Sequence, residues 1–581
     1  MSDEEKKKEI IEEKKKWEEK VLDPAVKRFG MQESPTKVYT PLDVNDFDFM
    51  RDVGFPGQYP FTGATYPTSI VGMGLKMMAM GGKEPLRRAA LYSGYGTAED
   101  TRDYYKGEIS RGFTGGPNLA LDLPTQCGYD SDNPMVEGEV GKVGVAIDTL
   151  RDFEIIYEPF VNGRDLDKIA SNMTINAACN VLVAMYLALA DKRGIAWDKL
   201  KGTPQNDILK EFVSRGTYIF PPRPSMRMFR DSLVFFTENC RGINITSIGG
   251  YHMREGGATR EQDLAFSMAN GIAYLQEGIN AGLDIDSFAP GFTFNGFGGS
   301  MEFFKEIAFQ RATRKMWATI LKEKFGAKKK ESMRIRCQLT AHIGCSSTTK
   351  QRALNNVTRA VVGGIAGALS GGVPAVFPPY DEPLGLGWSR EAKQLMQDAV
   401  RILALEAKLC DVTDPLAGSY YIESLTKEIY EAAWEELEKI EKMGGAVVAI
   451  ESGYMQREAA KSAADRQRRI ESGEEFIVGV NCFTDEQELD VTTSKIVEYP
   501  YDPEKREMAE EKQKAALTEI KRTRDNKEVS RLLKELKEAA KDESKNLFPI
   551  FIDCAKAYVS EQEQCDVLRE VFGEWDLDTF V

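Results

Sequence analysis

The stretch IASNMTINAACNVLVAMYLALADKRGIAWDKLKGTPQ, residues 169–205, decides the fold. Its first seven residues, 169–175, form a short strand-like run, and a second run follows at 202–204. Between them, 179–192 is a long apolar stretch of helical length. A strand, a helix and a second strand joined by short links form the unit of a parallel sheet, because parallel neighbours need a crossover. The same rhythm extends outward from about residue 61 to 410. It places further strands at 69–72, 118–123, 244–248, 288–294, 333–339 and 373–377, with helices at 262–281, 303–325 and 389–409. Eight alternations over about 350 residues predict an α/β fold, a (β/α)8 TIM barrel in preference to an open sheet.

Either side of this region the character changes. Residues 411–581 read as a mostly helical C-terminal region, with long charged helices at 427–443, 450–469 and 503–541 and an apolar helical end at 546–572. Within it FIVGVNCF, 476–483, reads as an isolated extended piece. Residues 1–45 form an N-terminal arm, and 46–410 the barrel domain. The arm is nearly all charge from 3 to 20, with Ile10, Ile11, Trp17 and Val21 as a thin apolar stripe. That stripe suits either a helix packed on its own domain or an arm that grips a partner subunit.

Composition narrows the function. The chain has 581 residues, 76 Lys+Arg against 91 Asp+Glu, and a net charge of −15. This acidic balance argues against broad binding to nucleic acid or to an anionic membrane. The longest uncharged run, 360–379, carries five glycines and three prolines, so no membrane span is expected, and the charged N-terminus lacks the apolar core of a secretory signal. Nine cysteines without a CxxC pair read as reduced thiols of a cytoplasmic protein. Only two histidines occur, His252 and His342, which excludes a His-rich metal centre, and no metal ligand set is expected.

Useful polar residues follow the expected strands: Asn176, Gln205, Tyr251 with His252, Gln338, and Tyr380-Asp381-Glu382. Barrel enzymes build their sites at these strand ends. His252 suits either a hydrogen bond to a substrate carbonyl or a structural bond to backbone. Arg215 suits either a bidentate carboxylate clamp or a surface ion pair with Glu211 at i−4. The glycine-rich 288–304 lacks a GKS/T sequence and is not a P-loop; it lets backbone approach a ligand or is a mobile loop. GYDSDNP, 128–134, reads as a structural turn.

Ordered motifs then run nearly the length of the chain. They include VYTPLDVNDFDFMRDVGFPGQYPFT (38–62), YPT (66–68), GYGTAEDT (94–101), LDLPTQCGYDSDNPMVEGEVGKVGVAIDTL (121–150) and GTPQNDILKEFVSRGTYIFPPRPSMR (202–227). GYHMREGGAT (250–259), FAP (288–290), YDE (380–382), DPLAGSYYIESLT (414–426), YPYDPE (499–504) and CDVLREVFGEW (565–575) follow. Together they resemble the large, barrel-bearing chain of the adenosylcobalamin-dependent acyl-CoA mutases, the methylmalonyl-CoA mutase type.

The resemblance implies a radical 1,2-rearrangement of an acyl-CoA, with methylmalonyl-CoA and succinyl-CoA as the default pair. A bulkier 2-alkylsuccinyl or an isobutyryl- or hydroxyisobutyryl-like thioester is the alternative, and a noncatalytic barrel partner of another mutase a second one. By matching position, His252 and Tyr92 correspond to the catalytic pair. Tyr66, Thr68, Asn118, Thr203, Gln205 and Arg215 correspond to further substrate contacts. Leu121, Val143, Gln338 and Glu382 correspond to the cofactor face, with Glu382 toward the adenosyl ribose. The sequence departs from the family pattern at 69–91, where Lys83, Arg87 or Arg88 would take over CoA contacts, at 291–292, at Asn118 and Asn172, and after Gln338, where His342 enters. No DxHxxG motif is present, so the cobalamin-binding domain is expected on a separate small subunit. A hetero-oligomer is expected, with a dimer of heterodimers as one arrangement.

Overall fold

The computed structural model describes residues 3–28, 30–32, 34, 36–68, 91–110, 112–336, 342–344, 346–372, 379–384, 389–484 and 503–575. Its strands pair in parallel and in chain order. β1 (Leu91–Ser93), β2 (Pro117–Ala120), β3 (Ala170–Thr174) and β4 (Lys201–Pro204) form one sheet in the order β1-β2-β3-β4. Tyr92, Asn118, Asn172 and Thr203 stand side by side across it. The backbone ladder continues to β5 (Thr246–Gly249), as Asn244 N donates to Gly202 O at 2.9 Å and Ser247 N to Gln205 O at 2.7 Å. β5 pairs with β6 (Phe292–Gly296), and Phe294 N donates to Arg336 O at 2.8 Å. β7 (Gly298–Gly299) pairs with β8 (His342–Ile343).

Helices fill the crossovers. They are α1 (Ala98–Ser110), α2 (Leu150–Ile156), α3 (Cys179–Lys192), α4 (Pro222–Asn239), α5 (Gly250–Glu255), α6 (Arg260–Asn280), α7 (Phe303–Thr319) and α8 (Asn355–Leu369). Then come α9 (Tyr420–Met443), α10 (Tyr454–Ser472), α11 (Pro503–Thr523), α12 (Asn526–Ala540), α13 (Phe548–Lys556) and α14 (Glu561–Phe572). α3 is buried from Cys179 to Ala190 because it lies against both the strands and α13. That explains its lack of a polar face: a helix covered all round has no use for one.

One apolar core runs from Phe61 to Leu568 and takes in Leu425 and Leu437 of α9 and Phe548 of α13. Buried arginines latch the C-terminal helices onto it. Arg311 on α7 pairs with Asp414 and, at 2.6 Å, with Glu423. Arg227 on α4 donates to the carbonyls of Ala540, Ala539 (3.1 Å) and Asp542 (2.6 Å), capping the C-terminus of α12.

Strand expectations at 118–123, 169–175, 202–204 and 244–248 meet β2 to β5. Those at 69–72 and 373–377 lie outside the described residues. At 288–294 the chain is helical through Gly291 and extends only from Phe292, since Pro290 favours a turn's start. At 333–339 a helical turn, Lys330–Met333, occupies the start, and 337–339 lie outside the described residues. β1 and β8, of three and two residues, are too short to leave a periodic trace. Two long helices break in two. Gly453, with φ 71°, separates Ala446–Glu451 from α10. Asp525 ends the α11 stretch by capping α12 through Lys527 N at 3.0 Å. The piece at 476–483 is a tight loop and not an extended strand: Gly479 N donates to Cys482 O at 2.8 Å and Gly479 takes φ 82°. The glycine-rich 288–304 is built into β6, β7 and the first turn of α7 and is no loop. The arm helix, Asp3–Trp17, runs on through a π turn, Glu18–Leu22, with Ile11 and Val21 more than half exposed. Among the described residues no helix is long and apolar enough to cross a membrane.

Candidate active site at the strand C-terminal ends

The chain leaving β4 turns through Ile208–Lys210 into a five-residue π turn, Glu211–Arg215, closed by Gly216 in the left-handed region at φ 84°. This turn points a carboxylate inward. Glu211 is 1% exposed. It accepts from Asn176 Nδ2 (2.5 Å), Thr217 Oγ1 (2.6 Å), Thr217 N (3.2 Å), Arg215 Nη1 (3.4 Å) and Lys210 Nζ. Burial opposes its charge, but the cations of Lys210 and Arg215 and these hydrogen bonds outweigh that, so its carboxyl is held below the usual range. The ion pair read from the sequence as a surface feature is therefore buried at its acidic end.

Gln205 and His252 join this centre from either side. Asn176 Nδ2 donates to Gln205 Oε1 at 3.0 Å while also serving Glu211. His252 sits half-buried on α5 against Tyr251, ring centroids 3.8 Å apart. A Cβ on Gly249 would lie 3.1 Å from His252 Nδ1 and 3.4 Å from Lys210 Cε, so the glycine lets the imidazole and the lysine stem meet over the strand end. Asp207 fixes that strand end by accepting from Gly249 N (2.7 Å) and Tyr274 OH (2.8 Å).

Below the centre a polar row crosses the strands. Half-buried Asn118, Asn172 and Thr203 stand in register with Tyr92 at its head. Thr203 Oγ1 accepts from Asn244 Nδ2 at 2.6 Å, and Asn244 Oδ1 from Arg336 Nη2 at 2.7 Å. Arg336 also reaches Pro290 O at 2.6 Å, just before β6, and so marks the N-terminal strand ends. Tyr66 belongs to that end: the Arg334 guanidinium lies 5.3 Å from its ring centroid, and Thr65 Oγ1 donates to Ile335 O at 3.0 Å. Thr68 is exposed nearby.

A second acidic pair borders His252. Glu255, three residues on, accepts from Ser346 N (2.7 Å) and Ser346 Oγ (3.1 Å). Glu382 faces it. Burial, then the charges of Glu255 and Asp381, push Glu382 up to about 7. Its Oε2 is buried without a hydrogen-bond partner among the described residues. Leu121 is 1% exposed in the core, and Val143 is 59% exposed on the loop that folds back beside it. Gln338, Lys83, Arg87 and Arg88 lie outside the described residues, and of His342 only the backbone, in β8, is described. The turn at 128–134 is structural: Asn133 caps Pro134–Val136, and Asp130 accepts from Gln562 N at 2.9 Å. Among the described residues no cluster of His, Cys, Asp or Glu is arranged to hold a metal.

Sequence reading missed Lys210, Glu211, Asp207 and Glu255 as members of the site. A signal existed in NDILKEF, 206–212, where charged residues fall among apolar ones that must face the core.

Known proteins are similar to this chain in sequence. Residues 31–574 match the pattern of the family described as methylmalonyl-CoA mutase. The 2-hydroxyisobutanoyl-CoA mutase large subunit of Aquincola tertiaricarbonis is 38% identical over 541 residues, covering 93% of this chain and 91% of that protein. The methylmalonyl-CoA mutase of Escherichia coli K12 is 38% identical over 488 residues, covering 83% of this chain and 65% of its own. The mitochondrial methylmalonyl-CoA mutase of Homo sapiens is 36% identical over 521 residues, covering 89% and 65%. The chain thus spans almost all of the first relative and just under two thirds of the other two. A match over this much of the sequence shows that the chain belongs to the methylmalonyl-CoA mutase family.

Proposed function

We propose that this chain is the catalytic large subunit of an adenosylcobalamin-dependent acyl-CoA mutase, built on a (β/α)8 barrel whose axis receives the substrate. The chain-order parallel pairing of β1 to β6 supports the barrel. The observation that carries the function is the convergence of Gln205, Arg215 and His252 on the Lys210–Glu211 pair, with an in-register polar row below it and Tyr66 at the opposite strand ends. A long thioester fits such an axis, with its acyl group at the Glu211 end and its chain along Thr203, Asn118 and Tyr66.

In this reading Arg215 forks onto a substrate carboxylate, which a guanidinium matches in shape. His252 donates a hydrogen bond to the thioester carbonyl and steadies the charge it gains. Tyr92 heads the row beside the acyl group. Glu382, with a buried carboxylate oxygen lacking a partner among the described residues, and Glu255 beside it fit the hydroxyls of an adenosyl ribose, and exposed Val143 fits the corrin side. Bound adenosylcobalamin supplies the radical that removes and returns hydrogen; the protein positions the substrate and excludes water. A separate small subunit holds the cobalamin, as the relative named a large subunit suggests, and the N-terminal arm offers it a grip. Three regions divide the work: 1–45 the arm, 46–410 the substrate barrel and 411–581 the helical brace. The default reaction joins methylmalonyl-CoA and succinyl-CoA. The coverage of the 2-hydroxyisobutanoyl-CoA mutase subunit favours a branched, uncarboxylated thioester as the second reading.

Reconstitution tests this. The chain, a small cobalamin-binding subunit and adenosylcobalamin are combined and offered methylmalonyl-, succinyl-, isobutyryl-, 2-hydroxyisobutyryl- and 2-alkylsuccinyl-CoA in turn. Conversion of methylmalonyl- to succinyl-CoA is expected. Turnover of only a branched or bulkier thioester moves the assignment to the second reading, and an assembled complex inert on all of them removes the enzymatic one.

A further inference from the structure

The orientation of one carboxamide is dictated by its neighbours. Asp207 N, which can only donate, lies 2.9 Å from Asn176 Oδ1. That fixes which end of Asn176 is oxygen. Its other end, Nδ2, therefore faces Gln205 and Glu211, at 3.0 Å and 2.5 Å, and both must accept. Glu211 is held as a carboxylate and can do nothing else. Gln205 must then present Oε1 to Asn176, which turns its Nε2 the other way. There Nε2 is buried and meets no hydrogen-bond partner among the described residues, on a residue 4% exposed. An amide N–H2 left so is costly unless something absent from the free chain accepts from it.

The polarity of the chain has one origin. Backbone N–H of Asp207 feeds Asn176, Asn176 feeds Gln205 and Glu211, and every donor points the same way. With its oxygen committed to Asn176, Gln205 is denied the acceptor role toward a ligand that a freely rotating carboxamide would retain.

We infer that Asn176 is a positioning residue that locks Gln205 as an obligate hydrogen-bond donor to an acceptor oxygen of the bound acyl thioester. The inference rests on the acyl-CoA mutase reading and adds to it the direction of this bond. It also assigns a role to Asn176. A ligand group offering only N–H at that point gains nothing from Gln205, whereas a carbonyl or carboxylate oxygen gains a preorganised donor.

A double-mutant cycle in the reconstituted holoenzyme tests it, with Asn176→Ala, Gln205→Ala and the double variant measured for kcat and KM on the substrate the wild type turns over. Each single change is expected to lower kcat/KM about 10-fold, the double no further than Gln205→Ala alone, because the inference has Asn176 reach the substrate through Gln205 and not through its second acceptor, Glu211. Independent losses that multiply to about 100-fold would overturn the inference, since a merely structural Asn176 adds its damage to any background. Gln205→Glu gives a second reading that does not need an Asn176 variant to fold. It keeps the acceptor for Asn176 but replaces the donor by an oxygen, and kcat/KM should fall at least about 10-fold. Wild-type kcat/KM in that variant also overturns the inference. A wild-type holoenzyme inert on every acyl-CoA offered is a different failure: it removes the mutase reading and this one with it.

Discussion

Arg215 Nη1 lies 3.4 Å from Glu211 Oε1, one turn back along the chain, and the two ends differ: the carboxylate side chain is 0% exposed and the guanidinium 26%. The cation thus keeps its counter-charge while its outer face remains open to a ligand. Replacing Arg215 by Lys retains the charge but removes the fork. For a carboxylated thioester kcat/KM should fall about 10- to 100-fold, the worth of a charged hydrogen bond, while an uncarboxylated thioester is little affected. Steady-state kinetics on both substrate types checks this, and equal losses on the two would remove the assignment.

Glu211→Gln leaves Lys210 and Arg215 sharing a neutral amide in a buried site. Breaking a buried pair from one side costs about 3–5 kcal/mol, so denaturant unfolding should show a loss of that order. A change below about 1 kcal/mol would mean that water or another anion already screens the centre.

Removing the His252 imidazole should lower turnover while leaving assembly with the small subunit intact. His252→Ala is expected to reduce kcat about 100-fold, in line with loss of one donor to a developing oxyanion. Gel filtration of the mixed subunits provides the control, and unchanged kcat contradicts the role.

Glu382 gives a pH signature. Its folded-state value of about 7 lies above the ordinary glutamate value of about 4.5, so the native state binds the extra proton between those limits. Stability contributed by that proton is present below about 4.5 and is lost as pH rises through 7. Glu382→Gln should therefore flatten the fall in melting temperature between pH 5 and 7.5, by comparison with the wild type. Parallel curves for the two proteins would show that burial and the charges of Glu255 and Asp381 do not raise it.

Arg227 tests the brace away from the site. Arg227→Met removes the cap on α12, and a loss of about 2–3 kcal/mol is expected from the charged hydrogen bonds to its carbonyls. Kinetics of the variant should match the wild type at a temperature where both are folded.

How much of this was legible in the chain differs from element to element. The run 169–205 declared its β-α-β order because a largely apolar helix of 14 residues between two short strands has few other solutions. The family's motifs carried His252, Arg215, Gln205 and Glu382 to their positions by number alone. Local rules also fixed several caps, as at Thr259, whose hydroxyl accepts from Gln262 N at 3.2 Å.

The tertiary structure alone decided what surrounds those residues. Glu211 and Arg215 four apart read as a surface pair, because spacing carries no information about what packs above them; α10 and the strand ends bury the carboxylate. The sense of the Asn176–Gln205 bond depends on the backbone N–H of Asp207, three residues past a different strand and 31 positions away from Asn176. The charge of Glu255 adds to the upward shift of Glu382 across more than a hundred residues of chain. Sequence determines which groups exist and how the backbone can run locally, since those depend on sterics between near neighbours. Burial, hydrogen-bond direction and shifted protonation depend on distances between remote segments, and only the folded chain sets those.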